Sequence, residues 1–306
     1  MQPFFSIVVN CKNGERYLRE ALDSIYAQSF KDWEIIFYDN GSTDSSLEIA
    51  KSYDLKLKIH QAKEPTNLGE ARAKAVDLCL GKYLCFLDVD DVFYPEKLQI
   101  QFDIFNKKNV VLISGGIDII DEHSRRIKTV IPKVSSDGVF ISLLRNYQIF
   151  MPTVAIDIEY MRGKQLNFDK RMSYCPDYKL FMTIAQDKNI CLLSSVLCKY
   201  RVHANSLSTG TRYLTTGEEA MLSVKYFMTR SAAADLTGQK MKAFKHAKAK
   251  ANLWIALDAL EQGERIRALK LLLLGPTIIW KSLQLAIICV IPLPWKLLEK
   301  IIHWGR

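Results

Sequence analysis

Three times in its first ninety residues the chain runs through a short apolar stretch that stops abruptly at a polar cluster. Phe4 to Val9 stops at Asn10-Cys11-Lys12-Asn13-Gly14. Trp33 to Tyr38 stops at Asp39-Asn40-Gly41-Ser42-Thr43-Asp44. Tyr83 to Leu87 stops at Asp88-Val89-Asp90-Asp91. Each run is short and rich in β-branched or aromatic residues, which reads as a buried strand. The intervening segments have helical spacing, as in Tyr17, Leu18, Ala21, Leu22, Ile25 and Tyr26. Strand, loop and helix in repetition predict a mostly parallel sheet flanked by helices. Ligands of such sheets bind outside the carboxyl ends of the strands. All three polar clusters fall on that edge.

The third cluster carries the sharpest chemistry. Carboxylates gathered at a strand end are costly unless something positive lies between them. Asp88 and Asp90 alternate with Val89 and share one side if strand geometry persists. Hard oxygen ligands suit Mg²⁺ or Mn²⁺, which also hold substrate phosphates. A bare pair of this kind is also compatible with an acidic turn ahead of the helix that can begin near Pro95.

The remaining elements follow from the same reading. Ser42 or Thr43 is expected to cap a helix carrying Leu47, Ile49 and Ala50. Leu55 to His60 is expected as a strand, and Asn67-Leu68-Gly69 opens a helix running to about Leu80. Val110 to Ile120 and Ile127 to Ile131 read as strands around a turn, Gly138 to Asn146 as a short helix, and Thr153 to Ile156 as another strand. Pro176-Asp177-Tyr178 starts a helix through Ala185, Cys191 to Val202 is a long strand, and helices dominate from Tyr213. Residues 1–212 are expected to form the catalytic domain and 213–306 a helical extension. Ala256 to Pro276 has the cadence of one helical hairpin.

The net charge of +9 is unevenly spread. Residues 1–214 carry 28 Lys+Arg against 26 Asp+Glu, whereas residues 215–306 carry 14 against 7. No nucleic-acid-binding pattern accompanies this basic tail, so nucleic acid is not the expected partner. Leu271 to Trp295 is almost uncharged, but Gly275-Pro276 and Pro292 break it, leaving less than the roughly 20 residues a span requires. With Trp280, Trp295, Trp304, Lys296, Lys300 and Arg306, it suits peripheral contact with an anionic membrane surface. A helical subdomain packed on the core is the alternative. Seven cysteines without a C-x-x-C pair predict reduced thiols in the cytoplasm, and Met1-Gln2-Pro3 opens no signal peptide.

The motifs resemble, in order, those of the family 2 glycosyltransferases of the GT-A fold. They are Val8-Val9-Asn10-Cys11-Lys12-Asn13-Gly14-Glu15-Arg16-Tyr17-Leu18, Trp33-Glu34-Ile35-Ile36, Asp39-Asn40-Gly41-Ser42-Thr43-Asp44, Asn67-Leu68-Gly69 and Phe86-Leu87-Asp88-Val89-Asp90-Asp91. The resemblance covers roughly residues 4–210. It implies inverting transfer from a nucleoside-diphosphate sugar, a UDP-sugar favoured, to a glycan or lipid-linked acceptor, with Mn²⁺ or Mg²⁺ assisting. Asp39 would bond the base, and the loop with Cys11, Asn13 and Glu15 would line the nucleoside pocket. Arg72 would reach the nucleotide. Asp88 would contact the ribose or a metal-bound water, and Asp90 would ligate the metal.

Asp177 would be the general base. In Tyr200-Arg201-Val202-His203, Arg201 would hold the diphosphate and His203 would complete the metal shell. The chain departs from the family pattern where Asn10 and Lys12 stand in a usual Pro-x-Tyr-Asn, so Lys12 replaces the aromatic that stacks on the base. Pro176 replaces the acid before Asp177. A polyprenyl-phosphate glycosyltransferase and a non-catalytic nucleotide-sugar binding module are the rival readings.

Overall fold

The computed structural model describes residues 2–188, 190–204, 206, 213–231, 236 and 238–273. The tail from 274 on, with Trp280, Lys281, Trp295, Lys296, Lys300, Trp304 and Arg306, lies outside the described residues. Among the described residues no helix is long and apolar enough to cross a membrane.

The chain forms two compact units, one of Met1–Val139 with Gln148–Thr209, the other of Phe140–Tyr147 with Gly210–Arg306. The first unit is built on one sheet. Its strands are β1 (Phe5–Cys11), β2 (Trp33–Asp39), β3 (Leu57–Gln61), β4 (Tyr83–Phe86), β5 (Val92–Phe93), β6 (Leu112–Ile120), β7 (Arg126–Val130), β8 (Ala155–Asp157) and β9 (Cys191–Arg201). They run in the order β3-β2-β1-β4-β8-β6-β9-β5, with β7 on β6. The first four are parallel, as the repeated strand, loop and helix demanded. Among the rest, β6 and β9 are parallel to each other, whereas β8, β7 and β5 pair antiparallel. A helix-linked parallel half therefore meets a mixed half at β4.

Strand β1 is central and covered on both faces, so Phe5 to Val9 are all buried. Its register sets the edge where the loops emerge. Cys11 stands opposite Asp39 on β2, and the Leu87 N–H bonds to the Val8 carbonyl at 3.0 Å. The three polar clusters thus open side by side. The helices that follow are α1 (Glu15–Tyr26), α2 (Ser46–Lys51) and α3 (Leu68–Asp77). Helix α1 buries Leu18, Ala21, Leu22 and Ile25 on one face, at the spacing read from the sequence. Helix α4 (Lys97–Lys107) begins two residues after Pro95.

Several local expectations are corrected. Helix α2 starts at Ser46 rather than after Ser42 or Thr43, whose side chains bond to the first loop instead. Strand β3 starts at Leu57, and Leu55 is 96% exposed. Met151–Thr153 is a 3₁₀ turn, so the strand expected from Thr153 begins at Ala155. The two-residue β5 was not anticipated, since no periodicity marks a strand that short.

Helices α5 (Val139–Arg145), α6 (Ile158–Gly163) and α7 (Pro176–Asp187) follow in chain order. Most of α5 belongs to the second unit with α8 (Tyr213–Arg230), α9 (Gly238–Glu261) and α10 (Arg265–Leu273). There Phe140 meets Phe227 and Phe244 edge to face, at 6.3 and 6.1 Å. Gly217 lets α8 approach α9 closely, since a Cβ there would lie 2.7 Å from Ile255. Gly263, with φ of +77°, turns the chain from α9 into α10. The hairpin core of Ala256, Leu257, Leu260, Ala268 and Leu272 matches the cadence seen in the sequence.

Candidate active site

A cleft of about 500 Å³ opens at the carboxyl edge of β1, β2 and β4. Its lining includes Asn10, Cys11, Lys12, Asn13, Arg16, Tyr17, Asn40, Arg72, Asp88, Asp90, Tyr200 and His203. Six predicted site residues therefore converge: Cys11 and Asn13 from the first loop, Arg72 from α3, Asp88 and Asp90 from the acidic turn, and His203 from the segment after β9. Asp39, Glu15, Arg201 and Asp177 do not line it.

Two loops form one wall, and they are laced together. The backbone N–H groups of Asn13, Gly14 and Glu15 donate to Ser42 Oγ, Ser46 Oγ and Asp44 Oδ2 at 2.9–3.0 Å. In return, Thr43 N–H and Ser45 N–H donate to Asn13 Oδ1 and Glu15 Oε2. The side chains of Asn13 and Glu15 are thus engaged with the neighbouring loop. Asp39 is buried and accepts from the Ser42 N–H at 3.1 Å. Burial tends to raise the Asp44 carboxyl, but the Ser46 hydroxyl and the Glu15 and Ser46 N–H groups hold it below its ordinary range. Burial also pushes the Cys11 thiol up, which keeps it neutral.

The acidic turn forms the opposite wall. β4 ends at Phe86, and the next residues carry Asp88 and Asp90 into the cleft. Val89 packs against the first loop, where a Cβ on Gly14 would lie 2.9 Å from Val89 Cγ2. Arg72 on α3 is buried and donates to Asp88 Oδ1 at 2.9 Å. His203 Nε2 lies 3.0 Å from Asp90 Oδ2. Burial, and then the charge of Asp88, raise the Asp90 carboxyl, against the pull of His203. Asp91 is fully enclosed. Burial and the charges of Asp90 and Asp88 push it well above the usual carboxylate range.

Arg201 sits beneath this turn with 1% exposure. Its backbone N–H donates to Asp91 Oδ1 and its Nε to the Asp90 carbonyl, both at 2.9 Å. Its remaining nitrogens reach Glu20 and Ser124 at 2.6 and 2.8 Å, and its plane lies 4.5 Å over the Tyr17 ring. The guanidinium is committed within the chain, locking the acidic turn to α1 and to the β6–β7 turn.

Asp177 occupies the first turn of α7, half-buried, behind Pro176. The segment leading to it is tied down at two points. Asp169 bonds to Arg171 and to Lys179 on α7, which holds its carboxyl well below the ordinary range. Gly69 lets α3 approach the same segment, since a Cβ there would lie 2.3 Å from the Asp169 carbonyl. Asn67 caps α3 through the Glu70 N–H, at the point where the helix was expected to open.

Among the described residues no cluster of three or more His, Cys, Asp and Glu side chains is gathered to hold a metal ion. Asp90 and His203 form a two-residue oxygen and nitrogen set instead. That set fits a cation which completes its shell with water and substrate phosphate, as Mg²⁺ and Mn²⁺ commonly do. Asn10, Tyr17 and Asn40 line the cleft but were not predicted as site residues. Tyr17 reads as one more position on the face of α1, and Asn10 is marked only as the polar break ending an apolar run.

Comparison with known proteins bears on the family and the fold. An uncharacterized glycosyltransferase of Rickettsia prowazekii is 33% identical over 207 residues, covering 66% of this chain and 65% of its own length. The chain therefore spans just under two thirds of that curated relative. An Escherichia coli protein named UDP-Glc:alpha-D-GlcNAc-diphosphoundecaprenol beta-1,3-glucosyltransferase is 26% identical over 207 residues, covering 67% of this chain and 79% of its own. Among solved structures, Staphylococcus aureus TarS in complex with UDP-GlcNAc superposes with a TM-score of 0.64 at 19% identity, over 94% of this chain and 79% of that one. A Pyrobaculum calidifontis mannosyltransferase in complex with GDP-Man and Mn²⁺ gives 0.58 at 15% identity, over 95% and 85%. The fold is the mixed α/β GT-A arrangement that the resemblance implied. The family model for glycosyl transferase family 2 matches residues 6–173, more than half of the sequence, and the chain belongs to that family.

Proposed function

We propose that this glycosyltransferase moves a sugar, with inversion, from a nucleoside-diphosphate sugar to a hydroxyl of a glycan or lipid-linked acceptor in surface polysaccharide assembly. The observation that carries the reading is the convergence of Arg72, Asp88, Asp90 and His203 on one cleft at the carboxyl edge of the parallel strands. A UDP-sugar is the favoured donor. The printed activity of the Escherichia coli relative and the UDP-GlcNAc bound to TarS support that choice. The diphosphoundecaprenol acceptor of the same relative supports a lipid-linked one.

Asp90 and His203 would hold the divalent cation, with Mn²⁺ or Mg²⁺ suited to the set. When bound, the cation supplies charge that offsets the negative charge growing on the diphosphate leaving group. Asp39 accepts from the base. Arg72 holds Asp88 in place and shares its charge, so that Asp88 faces the ribose. Asp177 accepts the proton of the acceptor hydroxyl as that oxygen attacks the anomeric carbon and the bond to the diphosphate breaks. Asn13, Glu15 and Arg201 act as positioning residues, because their side chains are spent on the loops and the acidic turn. The protein would work at the cytoplasmic face of a membrane, held there by its basic tail.

The test is a thermal-shift and transfer panel of UDP- and GDP-sugars, with and without Mn²⁺, on the full chain and on Asp177→Asn. The expected result is Mn²⁺-dependent stabilisation by a UDP-sugar in both proteins, with transfer about a hundredfold slower in the variant. Full transfer by the variant would point to a phosphate acceptor, which needs no base. Donor binding by the wild type without turnover on any acceptor would point to a binding module.

A further inference from the structure

Two residues that line the cleft each carry a buried polar group without a hydrogen-bond partner, the Tyr17 hydroxyl and the Asn10 amide nitrogen. Buried polar groups are almost always paired, so an unpaired one calls for an explanation. Asn40, on the same wall, is fully engaged, donating to the Thr66 carbonyl at 2.8 Å and accepting from its N–H at 3.0 Å. The hydroxyls of Ser42 and Ser46 each accept a backbone N–H. Two residues of the cleft wall thus carry donors that the chain leaves unpaired.

The surroundings indicate what those donors meet. The Tyr17 ring is held by the Arg201 guanidinium at 4.5 Å, Arg16 at 4.9 Å and His203 at 5.3 Å. A ring gripped in this way has little freedom left to lose on binding. Two of these neighbours are guanidinium groups and the third bonds Asp90, which sets Tyr17 beside the phosphate end. Asn10 is the last residue but one of β1, opposite Tyr38 of β2, on the strand between those that lead to Asp39 and to the acidic turn.

We propose that Tyr17 and Asn10 are donor-binding residues of this chain, the Tyr17 hydroxyl bonding a diphosphate oxygen and the Asn10 amide an oxygen of the nucleoside. This rests on the nucleotide-sugar reading above. Both groups stay unpaired in the free protein and complete their bonds on the ligand. The free protein is therefore destabilised by the same groups that hold the nucleotide.

That trade separates the proposal from a structural role. Tyr17→Phe keeps the ring and removes only the unpaired hydroxyl. In the full chain without nucleotide it is expected to melt at or above the wild-type temperature. Its affinity for UDP-GlcNAc or GDP-mannose with Mn²⁺, measured by calorimetry, is expected to be about tenfold weaker, the usual scale for a bond to a charged group. Asn10→Asp turns the donor into an acceptor and is expected to weaken the same nucleotides at least as much. A Tyr17→Phe protein that melts lower and binds normally would show a structural hydroxyl and overturn the proposal. Wild-type affinity in either variant would overturn it for that residue while leaving the donor reading intact. A wild type that binds none of the nucleotides would overturn the donor reading and the proposal with it.

Discussion

The two walls of the cleft use the same kinds of residue to opposite ends. The paired loops after β1 and β2 carry Asn13, Glu15, Ser42, Asp44 and Ser46, and each reaches a partner on the other loop. Across the cleft, Asp88, Asp90 and Asp91 crowd three carboxylates into one turn, and Asp91 Oδ2 is buried without a partner. Asp44 is held below its ordinary range, whereas Asp90 and Asp91 are driven above theirs. The satisfied wall is scaffold, and the strained wall is where a bound group is worth most. Active sites commonly give up stability in this way.

The largest effect should come from breaking the strained wall. Asp90→Asn removes a carboxylate that burial and Asp88 both disfavour, so the free protein should melt at or above wild type. Turnover should fall about 10³-fold, since a group offsetting charge in the transition state is lost. Melting curves beside single-turnover assays check both halves. A variant that loses stability and activity together would erase the contrast between the walls.

Breaking the satisfied wall should do the reverse. Ser46→Ala leaves the Gly14 N–H unpaired in a buried position and should cost about 1–3 kcal/mol of stability, read by urea denaturation. Turnover of the folded fraction should change far less than for Asp90→Asn.

The smallest effect sharpens the comparison through pH. The Asp44 pKa is lower folded than unfolded, so its stabilisation is present above the unfolded value of about 3.9 and is lost as pH falls through the folded value. Asp44→Asn should therefore melt below wild type at pH 7, and the gap should close as pH falls below about 5. A gap constant from pH 7 to pH 3 would mean that the charge of Asp44 is not what holds the loops.

Much of this was legible in the residues, and the limits are instructive. The parallel half of the sheet, the helix opening at Asn67-Leu68-Gly69 and the edge bearing the polar clusters follow from period, turn chemistry and chain order, which are local properties. Asp88, Asp90 and His203 were legible as cleft residues because their types suit phosphate and metal chemistry. Arg201 looked like a free cation beside His203, and only the folded chain shows it buried under the acidic turn. Asn10 and Tyr17 stand in the first motif but were not singled out for the site, because a polar strand end and a helical aromatic are common everywhere.

The sequence by itself determined which segments become strands and helices, and which strand ends would carry the chemistry. Periodicity and capping act over a few residues, so the local chain holds that information. The tertiary structure alone decided who pairs with whom. Asn13 meets Thr43 across 30 positions, Arg72 meets Asp88 across 16, and Arg201 meets Asp91 across 110. Residues 140–147 leave their neighbours in the chain to pack with the C-terminal helices. Such pairings depend on strand register and on close approach at Gly14 and Gly69, where the absent Cβ lets backbone and side chain meet. No short stretch of sequence encodes them, because each is a property of two segments brought together by the packing of the rest.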